Sequence, residues 1–153
     1  MQPSTSIDYL SAGQAALEAG AWQQAQHAFE RALAINETAE ALEGLGLAAW
    51  WLDLAEVVFD SRERAYRAYR QSGDEVSAAR VAVWIAWDSA AFHGEEGVAK
   101  GWLQRARRLL DREFNLSHSE RQPEHNQVVA GRWRAEERGA ISMEEGIAKT
   151  LNL

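Results

Sequence analysis

Residues 41–51 read ALEGLGLAAWW. The stretch is apolar on nearly every side, carries Gly44 and Gly46, and ends in the pair Trp50-Trp51. Alanine and leucine dominate it, and their propensity and spacing predict a helix. Glycines on one side of a helix let a neighbouring helix approach closely, because no Cβ holds the two backbones apart. The large side chains are then left to face something else. This division of labour predicts the middle helix of a stack of helical hairpins, with the Trp pair as the candidate recognition surface.

Towards the N-terminus, Ser6 is the expected N-cap of a helix over residues 7–19, stopped by Gly20. A second helix over residues 22–35 sets Trp22, Ala25, Ala28, Phe29, Ala32 and Leu33 at helical spacing. The turn between them is too short for anything but antiparallel packing. Thr38 opens the helix that contains the quoted stretch, with a break at Asp53. A longer helix over 54–71 holds Val58, Ala65, Ala68 and Tyr69. Ser72-Gly73-Asp74 combines a glycine stop with an N-cap. A third hairpin is expected over 75–92 and 95–112, broken at His93-Gly94.

Composition agrees with an all-α class. The chain has 153 residues, 46% of them apolar, which is enough for a real core. Pro3 and Pro123 are its two prolines, and alternating β-branched runs are missing. The absence of cysteine excludes a disulfide scaffold, a thiolate metal site and a Cys nucleophile. No apolar run is long enough to span a bilayer, and the first residues, MQPSTSIDYL, lack the features of a secretory signal. A cytoplasmic location without membrane contact is therefore expected.

The net charge of −7 is unevenly spread. Residues 1–60 hold the acids Asp8, Glu18, Glu30, Glu37, Glu40, Glu43, Asp53, Glu56 and Asp60 against a single base, Arg31. An acidic front half argues against nucleic acid as its ligand.

The hairpin pattern recurs, and it resembles tetratricopeptide repeats (TPRs). In the first unit, Gly13 matches the family's interhelix glycine, Gly20 its turn glycine, and Ala25, Phe29 and Ala32 its second-helix positions. In the second, Leu45 and Gly46 match the Leu-Gly pair; in the third, Gly94, Ala99, Leu103 and Ala106 match. Trp87 departs from the pattern by replacing the third interhelix glycine, and the usual terminal proline is absent, with Glu37 in its place in unit one. The resemblance implies three antiparallel hairpins stacked as a short right-handed solenoid over residues 1–113. Residues 114–153 are expected to form a partly helical tail, a candidate cap for the stack. Capping boxes are expected at Ser117-x-x-Glu120 and Ser142-x-x-Glu145, with helices over 124–138 and 143–151.

A narrower resemblance runs from EALEGLGLAAWWLD through FDSRERAYRAYRQSGD to RVAVWIAWD. It is similar to the N-terminal TPR region of actinobacterial LuxR-type transcriptional regulators. The words LSHSER and IAKTLNL faintly echo that family's helix-turn-helix, but at the wrong spacing and with no recognition helix after Leu153. This resemblance implies a truncated or diverged remnant of a larger bacterial regulator.

The chemistry-bearing patterns are weak. Gly44-x-Gly46-x-x-Ala49 fits a dinucleotide fingerprint, but no strand precedes it, so helix-packing glycines are expected. His118 and His125 flank Glu120 and Glu124 at a spacing of seven with Pro123 between, which does not put metal ligands on one helix face. His27 and His93 stand alone. No serine has a paired histidine and acid, and no phosphate loop is present. Arg105, Arg108 and Arg112 share a helix face with Leu103, Ala106, Leu109 and Leu110 opposite; a solvated outer face is expected, with an anion-binding stripe as the alternative. No enzyme activity, metal or cofactor is expected.

The seven tryptophans are the stronger signal. Trp22, Trp87 and Trp102 fall where hairpins pack. Carried over by register from the TPR resemblance, the groove-facing positions are Leu10, Gln14, Leu17 and Glu18 in unit one. They are Glu43, Leu47, Trp50 and Trp51 in unit two, and Trp84, Asp88, Ala91 and Phe92 in unit three. Flat aromatic area with a few acids suits a basic or amide-rich peptide or a partner helix. Burial between hairpins is the competing reading for Trp50 and Trp51. The expected function is a protein–protein interaction module in regulation or signalling. Self-association through the same surface, or a small-molecule effector in the groove of a LuxR-type regulator fragment, is the alternative.

Overall fold

The computed structural model describes residues 5–119. Among them every regular element is an α-helix: α1 (Ser6–Glu18), α2 (Trp22–Ile35), α3 (Ala39–Trp51), α4 (Ala55–Ser72), α5 (Glu75–His93) and α6 (Glu96–Ser119). The all-α class is as the composition predicts. The chain divides into two compact units, Met1–Gln71 and Ser72–Leu153.

In the first unit, α1 is capped by Thr5 and not by Ser6. The Thr5 hydroxyl accepts from Asp8 N at 3.1 Å, and the Asp8 carboxylate accepts from Thr5 N at 3.1 Å. The reason is positional: three residues beyond Thr5 stands an acid that closes the box, whereas three beyond Ser6 stands Tyr9. Ser6 becomes the first helical residue, and its hydroxyl donates across to Ala32 O at 3.3 Å. The α1–α2 turn is a Schellman motif, with Ala21 N donating to Ala16 O, Gly20 N to Leu17 O, and Gly20 in the left-handed region at φ 69°.

The end of α3 repeats that motif without a glycine. Leu54 N donates to Ala49 O at 3.0 Å, Asp53 N donates to Trp50 O at 3.2 Å, and Asp53 holds the left-handed position at φ 59°. The other end of α3 is capped by the Thr38 hydroxyl, which accepts from Ala41 N at 3.2 Å.

Phe29 is the centre of the first unit's core. Its side chain is fully buried, with Ala25, Ala32, Ala41, Leu45 and Ala48 around it. A Cβ placed on Gly13 of α1 would come within 2.7 Å of its ring, and one placed on Gly44 of α3 would collide with it too. The ring therefore fills the space that two missing side chains leave. Gly46, on nearly the opposite side of α3 from Gly44, meets α4: a Cβ there would lie 3.0 Å from Ser61 Oγ and 3.2 Å from Arg62 Cγ. Both glycines lie inside α3 and serve close packing, so the dinucleotide fingerprint has neither its strand nor its turn.

Polar contacts tie α4 down. Tyr69 donates from its hydroxyl to Glu43 Oε2 at 2.7 Å. Arg64 pairs with Glu37 in the α2–α3 connection and with Asp60 at 2.8 Å on its own helix. These contacts, the hydrogen bond to Glu37 foremost, raise the Arg64 pKa above its ordinary value.

In the second unit, Asp74 caps α5 by accepting from Ser77 N at 2.9 Å, and Gly94 ends it at φ 65°. α6 packs on α5, with Ala99, Leu103, Ala106 and Leu109 buried and Arg112 reaching Glu75 at 3.8 Å. α6 continues to Ser119, past the expected end at 112, so the expected boundary at 113/114 falls inside a helix. Ser117 is part of that helix and donates to Phe114 O at 2.9 Å; it is not the N-cap of a new one. The capping box at Ser142, the helices over 124–138 and 143–151, and His125 lie outside the described residues.

Candidate functional site

The positions expected to form a recognition groove fall on three helices. Gln14 and Glu18 are one turn apart on α1, and both are exposed. Glu43, Leu47 and Trp50 follow one another by a turn along α3 and are half-buried. Trp51 is rotated from that row by one residue and is 53% exposed. Trp84, Asp88 and Phe92 follow one another by a turn along α5 in the second unit; Trp84 and Phe92 are half-buried, and Asp88 is fully buried.

Within the first unit the structure brings together an aromatic cluster. Trp51, at the end of α3, stacks on Trp22, at the start of α2, with ring centroids 4.9 Å apart and planes within 8°. Trp50 sets its ring against Trp51 edge-on, at 5.2 Å and 85°. Both arrangements suit the aromatic quadrupole, since offset stacks and T-shaped pairs avoid face-to-face repulsion. α2 and α3 are in contact, and the left-handed turn at Asp53 ends α3 directly after Trp51. The Trp50 indole N–H is buried with no hydrogen-bond partner among the described residues.

Trp22, which the sequence places where hairpins pack, also stacks under the most exposed tryptophan of the unit. The signal that places it there is the short connection on either side of α2, which sets the first residue of α2 near the last of α3. Tyr69 is a second residue that sequence reading leaves out of the site. Its hydroxyl occupies Glu43 Oε2, so this acid is held in place and part of its acceptor capacity is used.

The arginine stripe on α6 behaves as a solvated face. The Arg105 guanidinium lies over the Trp102 ring at 4.5 Å, Arg108 Nε donates to Gln104 O at 3.2 Å, and Arg112 reaches Glu75. Among the described residues no group of three or more His, Asp or Glu side chains is placed to hold a metal ion. Among the same residues no helix is long and apolar enough to cross a membrane.

No protein-family model matches the chain, and no solved structure matches it. Among curated proteins the chain is similar to an uncharacterized ABC transporter permease, YbbP, of Escherichia coli (strain K12). The two are 50% identical over 46 residues, which cover 29% of this chain and 5% of the permease. The chain thus spans about 5% of the length of the curated relative it matches.

Proposed function

We propose that this chain is a TPR-like interaction module that binds a basic or amide-rich peptide, or a partner helix, by presenting a preformed surface and without chemistry of its own. The observation that carries the reading is the Trp22–Trp51 stack. A tryptophan 53% exposed stacks on a parallel ring and meets a third ring at its edge. Large flat side chains fixed before binding lose little entropy on association, and such residues dominate binding energy at interfaces. Glu18 and Gln14 add exposed polar groups on α1 of the same unit.

Three hairpins stacked as a solenoid are part of this proposal. Its support is local. The positions that the TPR resemblance assigns to the second helices, Ala25, Phe29 and Ala32 in α2 and Ala99, Leu103 and Ala106 in α6, are all buried. Gly13 admits Phe29 at the place where the family has its interhelix glycine. The 46-residue similarity to a permease adds no ligand to this reading.

The test is comparative capture from a native cytoplasm with the wild-type chain and Trp51→Ala. A partner retained by the first and lost by the second, with helical circular dichroism unchanged, supports the reading. Identical capture profiles for the two chains sink it.

A further inference from the structure

A second surface of the first unit has a different chemistry. An open cleft of about 650 Å³ lies between the outer sides of α1 and α2. Most of its polar lining comes from α2, with Gln23, His27 and Arg31 spaced four apart and Gln24 beside them, and Tyr9 of α1 adds a hydroxyl. Its walls are Ala12 of α1, Ala28 of α2 and the ring of Tyr9.

Every polar residue of this lining offers a donor, and none is a carboxylate. Arg31 is the single base among residues 1–60. It contacts Tyr9 twice: Nη2 donates to the Tyr9 hydroxyl at 3.2 Å, and the guanidinium lies 5.3 Å from the ring centroid. Among the described residues no acid pairs with it, although acids outnumber it nine to one over residues 1–60. The tyrosine oxygen accepts from Arg31, so its own hydrogen is left to donate elsewhere. The Tyr9 contact also fixes a long side chain that would otherwise lose rotamer freedom on meeting a ligand.

We propose that this cleft binds a small organic carboxylate, with Arg31 as its charge partner, the His27 ring and the Gln23 and Gln24 amides as further donors, and the Tyr9 ring with Ala12 and Ala28 against the apolar body. The volume is that of a small-molecule site. A planar guanidinium matches a carboxylate better than an ammonium would, because it donates two parallel hydrogen bonds. None of the unit's acids is part of the lining, with Asp8 and Glu30 flanking Tyr9 and Arg31 in the chain. This site is separate from the aromatic cluster and does not depend on the function proposed for it.

The test is a titration of the full chain, followed by NMR on backbone amides and the Arg31 Nε–H, with sodium benzoate as probe. Benzamide and inorganic phosphate form the comparison arms. Saturable shifts at Tyr9, His27 and Arg31 with benzoate, at least tenfold weaker with benzamide, are expected. Arg31→Gln is expected to weaken benzoate at least tenfold, and His27→Ala several-fold; both residues are exposed, so both variants should keep wild-type circular dichroism. Absence of saturable shifts with benzoate, or equal binding by Arg31→Gln, overturns the proposal. Phosphate binding tighter than benzoate overturns the carboxylate assignment.

Discussion

The ring of Phe29 lies against the bare Cα of Gly44. A Cβ on Gly44 would stand 2.7 Å from Cε2 of that ring and closer still to its other edge atoms. Gly13 meets the same ring from α1, so one aromatic side chain of α2 is accommodated by two glycines on the helices either side of it. The core of this unit is built from small residues around one large one, and its geometry is set by where the large one enters.

Gly44→Ala should destabilise the protein by about 1–3 kcal/mol, because overpacking outweighs the helix propensity that alanine adds, about 1 kcal/mol. The ring is fully buried and is met by glycines from two helices. Gly101 of α6 is the control, since nothing lies within 4 Å of an added Cβ there; Gly101→Ala should stabilise by up to about 1 kcal/mol. Chemical denaturation followed by circular dichroism reads both, and a stabilised Gly44→Ala would refute the packing described.

Asp53→Gly should raise stability by about 0.5–1 kcal/mol. Asp53 holds a left-handed φ of 59° at a helix stop, a conformation that costs an L side chain about 1–2 kcal/mol and glycine little. Part of the gain is returned through the greater freedom of glycine in the unfolded chain. Asp53→Val, β-branched at the same φ, should move the midpoint the other way.

The Trp22–Trp51 stack should show a coupling of about 0.5–1.5 kcal/mol in a double-mutant cycle of the two alanine variants. Trp51→Ala alone should leave helical content intact, because its ring is largely at the surface. Zero coupling would mean that the rings do not hold one another, and the preformed surface would lose its basis.

Arg64→Met should cost about 0–1 kcal/mol, with the loss shrinking as salt is raised to roughly 1 M, since the ion pairs with Glu37 and Asp60 are partly exposed. The raised pKa of Arg64 has a defined consequence for pH. A group whose folded pKa is raised contributes stability that is fully present below its unfolded pKa and is lost as pH climbs through the folded one. For a guanidinium that window lies above about pH 12. The difference between wild type and Arg64→Met should therefore stay constant over roughly pH 7 to 9, and a decline over that range would contradict the assignment.

The helices were legible because each carries its own local instructions. Trp22 to Ile35 matches the expected α2, and Thr38, Asp74 and Gly94 act at the helix ends where their chemistry placed them. The cap of α1 falls one residue before the expected Ser6 because Ser6 and Thr5 are equivalent as side chains. Asp8 decides between them through a reciprocal bond. α6 runs past the expected end near 112, where periodicity weakens, through Phe114 and Leu116, both exposed. Of the recognition positions, register alone placed Trp50 and Trp51 at one end of α3, but it could not say that Trp51 would lean on Trp22.

The sequence by itself determined the class and the joints of this protein: apolar period, propensity, caps and glycine stops are properties of neighbouring residues, and they specify helices and where they end. Only the tertiary structure decided which ring fills which gap. Gly13 and Gly44 are far apart in the chain, and each is merely permissive until Phe29 arrives between them. The same holds for the Trp22–Trp51 stack and for Arg31 on Tyr9. Each joins different helices, and its geometry depends on how the backbones approach, which packing sets once the helices have formed.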